Sequence, residues 1–300
     1  MTILKGRYIN LRESVIRKNH IEHQLRMLGI SHCYSQFEAI KGNITEASTR
    51  QLEAGELGIW KSWIRLLREE IDQNDNFDYL HIIEDDCILT REVYKLIKNL
   101  STIENKYDLI ATDMYVNPSI YKRLNKEIGA KEKDNQIKLI NGLYTGCLPS
   151  ILIPREKIKI IANILEKEYN KNKPMIPIDN FLVRLQNEKA IKIAITLPFI
   201  TSISAESIMN STIQERINEA RSIRETQNIC YLLRKKLSII ENNNYSHEIV
   251  QSTVELIKLN SRNQRETNNI ITNMVIEILE KRFLRYKYRP SLQGEPQNPQ

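Results

Sequence analysis

Over the first two thirds of the chain, short apolar runs of strand length alternate with stretches of helical period. Residues 7–11, RYINL, form an extended run, and Ser14 stands where a helix N-cap belongs. Ile21, Leu25 and Leu28 then share one helical face until Gly29 ends the pattern. CYSQFEAI (33–40) returns to strand character, so the chain opens β-α-β. From about Gly58 a second helix is predicted, with Leu57, Trp60, Ile64, Leu67 and Ile71 on one side. YLHII (79–83) is an unbroken apolar run that leads straight into Glu84, Asp85 and Asp86. A helix from Thr90 to about Asn99 and a strand, YDLIAT (107–112), come next. Residues 115–136 are polar and aperiodic and read as an excursion or loop. IKLI (137–140) and SILI (150–153) are strands on either side of NGLYTGCLP. Ile158, Ile161 and Leu165 mark a helix, PIDNFLVRL (177–185) a shorter one, and IKIAITL (191–197) a last strand. This alternation predicts an α/β fold around a mostly parallel, twisted sheet.

After Ser211 no strand-like run remains. Cys230, Leu233, Leu237 and Ile240 step at helical spacing, NNNYS interrupts, and further helices are expected over 247–259 and 266–285. The expected organisation is a domain over 1–213, an all-helical extension over 214–289 and a disordered tail over 290–300.

Charge adds a mild constraint. The net charge is +7, and the residues from Gln214 onward hold 14 Lys/Arg against 10 Asp/Glu. A basic excess of this size fits an anionic partner without choosing one. The four cysteines are scattered and form no CxxC pair, which points away from a disulfide framework or zinc site and toward a reducing cytoplasm. The first residues lack the apolar core of a signal peptide, and no apolar stretch is long enough to cross a bilayer. A soluble or peripheral cytoplasmic protein is expected.

The acids at 84–86 are the first candidate chemistry. Doubly wound sheets place ligands at the carboxyl ends of their strands. Carboxylates gathered there, with no glycine-rich phosphate loop, suit Mg²⁺ or Mn²⁺, which takes one or two carboxylates plus substrate phosphates. Glu84 and Asp86 would share a face if the strand continued, with Asp85 turned elsewhere, for instance to a sugar hydroxyl. Alternatively, the acids cap the helix starting near Thr90 and interact with its dipole.

Several segments then line up in order: INLRESVIRKNHIEHQLRMLGI, FEAIKG, LEAGELGIWKSWIRLL, LHIIEDDCIL, YTGCLPSILIPREKI and PIDNFL. Together, across roughly residues 3 to 213, they resemble glycosyltransferase family 25, which includes bacterial lipooligosaccharide galactosyltransferases. The resemblance implies a GT-A-type nucleotide-sugar-binding fold, an inverting mechanism and a divalent metal, usually Mn²⁺, with UDP-galactose the commonest donor. It implies that Glu84 and Asp86 hold the metal and that Asp85 serves the donor with them. Asn10, Leu11 and Arg12 become donor-pocket candidates, and Asp179 becomes the acceptor-side carboxylate, as base or sugar-hydroxyl binder. A plain helix N-cap is the other reading of Asp179. Two departures stand out: Trp63 follows Ser62 where the family carries His, and YTGCLPSILI differs from the usual Gly-Thr pattern.

Arg17 reads as a solvated helix residue and His20, His23 and His32 as exposed; Trp60 and Trp63 read as helix-face packing. EKRFLRYKYR (280–289) mixes cations with aromatics. It is expected to pack as a helix on the catalytic domain or a second copy, with an anionic membrane surface as the other partner. No nucleic-acid recognition motif accompanies the charge. The expected function is transfer of a sugar, galactose first, from a UDP-sugar to a bacterial cell-surface glycan or glycolipid at the inner face of the cytoplasmic membrane. The competing expectation is a catalytically inactive binding or assembly module with the same fold.

Overall fold

The computed structural model describes residues 3–73, 75–100, 106–116, 118–129, 137–171 and 174–203, together with Cys230, Leu233, Arg234, Leu237 and Ser238. The chain divides into two units, Met1–Glu241 and Asn242–Gln300, and every described residue belongs to the first. The expected helices over 247–259 and 266–285, the tail and the basic-aromatic run at 280–289 lie outside the described residues.

The opening is β1 (Leu4–Asn10), α1 (Val15–Met27) and β2 (Tyr34–Glu38), as the periodicity predicts. Next come α2 (Ile44–Thr49) and α3 (Ala54–Asp72), then β3 (Tyr79–Glu84), β4 (Cys87–Leu89) and α4 (Arg91–Asn99). β5 (Leu109–Ala111), α5 (Pro118–Gly129), β6 (Lys138–Asn141) and β7 (Ser150–Pro154) precede α6 (Arg155–Tyr169), α7 (Ile178–Asn187), β8 (Ile193–Leu197) and β9 (Thr201–Ile203). Among the described residues, seven strands form the main sheet in the order β2-β1-β3-β7-β5-β8-β6. The pairings run β1, β2, β3, β5 and β8 in one direction, with β7 and β6 reversed. The fold is α/β around a mostly parallel sheet.

Three differences from the sequence reading have local causes. The third helix starts at Ala54 rather than Gly58, because the Glu56 side chain accepts from the Glu53 N–H at 2.8 Å and closes a capping box. Glycines let the segment before α2 pack closely on α3: a Cβ on Gly42 would stand 1.7 Å from the Ala54 carbonyl oxygen, and one on Gly58 2.6 Å from that of Ile40. Residues 118–129, expected to be a loop, are helical and bury Tyr121 and Leu124. The strand of YLHII stops at Glu84, and Asp85 and Asp86 form a turn into β4, which pairs with β9 in a separate two-stranded sheet.

β3 is interior, flanked by β1 and β7, and residues 79–83 are buried. One of them is His81. Its Nδ1 lies 2.5 Å from the Tyr34 hydroxyl and its Nε2 2.7 Å from Ser150 Oγ, which Thr112 Oγ1 meets at 2.5 Å. Burial pushes the imidazole down to about 3. The unfolded chain therefore takes up this proton first as pH falls through 6.5, and folded stability drops with it, by roughly 4 kcal/mol at about pH 3.5. Denaturant melts across that range should show the acid limb in the wild type and a flatter one in His81→Gln.

Candidate active site

Because β3 is interior and its residues 79–83 are buried, its acids can reach solvent only at its carboxyl end. That end lies beside Asn10, the last residue of the parallel neighbour β1, and beside the segment entering β7, since the Glu84 N–H donates to the Pro149 carbonyl at 2.9 Å. The expected acids separate into two roles there. Asp85 is buried and accepts from Asn10 Nδ2 at 2.7 Å and from Arg17 Nη1 at 3.5 Å. Asn10 also donates to the Ser14 carbonyl at 3.1 Å and accepts from Gln36 at 3.0 Å. Both side chains are thus committed to tying β1, β2 and the start of α1 together. Arg17 is half-buried against Asp85 rather than solvated, a correction to the sequence reading.

Glu84 and Asp86 take no part in that network of side-chain hydrogen bonds among the described residues. Asp86 Oδ1 is buried without a hydrogen-bond partner among the described residues. A lone carboxylate oxygen in that position is costly unless something else meets it. Burial first, then the charges of Asp86, Asp85 and Asp179, raise Glu84 to about 8, with Arg234 opposing them. Among the described residues no three His, Cys, Asp or Glu side chains converge as a complete metal cage. The donor set fits a hard divalent cation that takes one or two carboxylates and completes its shell with water and phosphate.

Asp179 arrives from the other side of the site. It lies in the first turn of α7, whose N-cap is Pro177, so it is not the N-cap itself. Its Oδ2 accepts from the Cys147 N–H at 3.1 Å and its Oδ1 from the Asn180 N–H at 2.8 Å. Glu84 lies within electrostatic reach of both Asp86 and Asp179. Leu11 is half-buried, and Arg12 is exposed with no side-chain partner among the described residues, open to an incoming anion.

Trp60 and Trp63 are both fully buried, as core residues of α3; the Trp60 indole donates to the Ile176 carbonyl at 3.0 Å and its ring meets Phe181 at 5.3 Å. His20, His23 and His32 are exposed as expected.

Arg234 is the residue that motif reading missed. It is 4% exposed, donates from Nε to Asp113 Oδ1 at 2.5 Å and pairs through Nη2 with Asp113 Oδ2, while Nη1 reaches Cys147 Sγ at 3.6 Å. Its sequence signal is slight: it shares the stripe of Cys230 and Leu237, where a cation among apolar neighbours needs a buried partner.

No protein-family model matches the chain, and no curated protein matches it. Among solved structures, a match is the galactosyltransferase LgtC in complex with donor and acceptor sugar analogues. It is 9% identical, covers 79% of this chain and 98% of its own, and has a TM-score of 0.37. A likeness that slight carries no weight, and the resemblance to family 25 rests on the sequence motifs alone.

Proposed function

We propose that this protein is an inverting, divalent-metal-dependent glycosyltransferase that moves a sugar, galactose in the first instance, from a UDP-sugar to a bacterial cell-surface glycan or glycolipid. The reading is carried by Asp86: a buried carboxylate oxygen without a partner among the described residues, in the turn after β3, beside Glu84, which burial and then the neighbouring acids raise to about 8. Glu84 and Asp86 would hold Mn²⁺ or Mg²⁺, which when bound would supply positive charge against the diphosphate of the departing UDP. Asp85 and Asn10 keep the end of β1 in register with that corner and are positioning groups. Arg12 meets the donor's phosphates or uridine from the solvent side.

Asp179 serves the acceptor. Two main-chain donors fix its carboxylate, leaving lone pairs on each oxygen to accept the proton of an acceptor hydroxyl as that oxygen attacks the anomeric carbon. UDP leaves from the opposite face, so configuration inverts, through an oxocarbenium-like transition state by analogy with glycoside hydrolysis. Such an enzyme would work on the cytoplasmic side of the membrane, where a glycolipid acceptor presents its sugar. Of the two departures that favoured an inactive module, Trp63 and the segment around Cys147, Trp63 sits in the core and gives that alternative no support.

The test is a panel of UDP- and other nucleotide-sugars incubated with purified protein and Mn²⁺. Slow, Mn²⁺-dependent hydrolysis of UDP-galactose in water is expected; no hydrolysis of any member would retire the enzymatic reading.

A further inference from the structure

We infer that Arg234 is a positioning residue for the acceptor-side carboxylate, acting through Asp113 and the main chain of Cys147. The inference rests on the proposed role of Asp179 and extends it to a part of the chain that lies beyond every motif quoted above.

Asp113 follows β5 at the carboxyl end of the sheet and is fully buried, so its charge requires a committed partner. Arg234 supplies one with a two-pronged bond, which uses Nε and Nη2. The third nitrogen is free to reach Cys147 Sγ, so a single planar group grips two segments at once. Those segments are also stitched directly: the Tyr115 N–H donates to the Gly146 carbonyl at 2.9 Å, and Thr145 Oγ1 donates to the Tyr115 carbonyl.

What the grip holds is an unusual backbone. Gly146 and Cys147 have φ of +109° and +80°, and the second of these is a conformation a side-chain-bearing residue adopts only under constraint. In that conformation the Cys147 N–H points at Asp179 Oδ2. The carboxylate also lies close over the glycine, where an added Cβ would be 3.2 Å from the same oxygen. The upstream end of the loop is fastened independently, since Gln186 bonds both the N–H and the carbonyl of Tyr144. The downstream end, the one that touches Asp179, is held by the Tyr144 hydroxyl, which donates to the Cys147 carbonyl at 2.7 Å, and by Arg234 through the Cys147 sulfur. Being buried and fully engaged, Arg234 is placed to set geometry rather than to bind a ligand.

Arg234→Met alone strands the Asp113 charge, so the working variant is Arg234→Met with Asp113→Asn in the full-length chain; Asn keeps an acceptor for the Met114 N–H. Cys147→Ser, which weakens only the sulfur contact, is a milder second probe. In the double variant kcat for transfer should fall about a hundredfold while KM for the UDP-sugar stays within about twofold, because a carboxylate displaced by about an ångström costs on that order. Amide exchange in the peptide covering 143–147 should quicken while that of β1 and β3 stays unchanged. Arg234→Lys, which keeps the ion pair but cannot fork to Cys147, should fold normally and recover only part of kcat. Unchanged exchange at 143–147, or a loss that appears in KM for the donor instead of kcat, overturns the positioning role. Faster exchange at 143–147 in a protein that hydrolyses no nucleotide-sugar supports the clamp and removes only the transfer reading.

Discussion

Asp86→Ala should abolish turnover, by about a thousandfold or more, together with the rise in melting temperature that Mn²⁺ and UDP give the wild type. The two losses share one cause: Asp86 Oδ1 has no hydrogen-bond partner among the described residues, so its removal subtracts chiefly what it does for a bound cation. Asp85→Asn is the contrasting case. It disturbs the bond to Asn10 and leaves the cation corner in place, so part of the thermal response should survive. A full Mn²⁺ response in Asp86→Ala would show that the cation, if bound, is held elsewhere.

Glu84 gives the same corner a pH signature. Its folded-state value, raised to about 8 from an ordinary 4.5, means that the folded protein keeps a proton the unfolded chain has already shed. Without cation, this group therefore costs stability increasingly as pH climbs from about 4.5 to 8, by up to a few kcal/mol after discounting for its partial exposure. Glu84→Gln should raise the melting temperature of the metal-free protein near pH 8.5, leave it unchanged near pH 5, and remove the Mn²⁺ response at both. The cation displaces the proton, so wild-type binding near neutral pH should release acid, measurable by calorimetry in two buffers of different ionisation enthalpy.

The strand carrying these acids was legible because an interior strand, buried on both faces, can place charge only at its end. What each acid does there was not legible, since the partner that commits Asp85 is Asn10, far upstream, and only the fold brings them together. The periodicity also passed over α2, a six-residue helix with a single buried side chain, Ala47. It misjudged 118–129 because Tyr121 and Leu124 form a narrow stripe among lysines, arginine and asparagine. Arg234 was illegible for a related reason: beside Lys235 and Lys236 it looks like one more surface cation. Its burial depends on a carboxylate supplied by β5.

The segment containing Arg234 leads to the second large effect: a chain ending at residue 213 should fail to fold stably, whereas one ending at 241 should melt cooperatively. Cys230, Leu233 and Leu237 are buried, and each such leucine contributes about 1.5–3 kcal/mol by leaving water. The Phe199 N–H donates to the Leu237 carbonyl at 2.8 Å, Ser238 Oγ returns to the Phe199 carbonyl at 3.2 Å, and Cys230 Sγ meets the Tyr115 hydroxyl at 2.9 Å. Cutting at 213 removes all of these and leaves Asp113 buried without its guanidinium partner, which costs about 3–5 kcal/mol by itself. Against a total stability of about 5–15 kcal/mol, the combined loss is enough to unfold the domain. Asp113→Asn in the shorter chain should return part of the stability by deleting the stranded charge, which circular-dichroism melts of the two truncations can resolve. A chain of 213 residues that melts as the longer one does would make the segment dispensable, and the Arg234 clamp would fall with it.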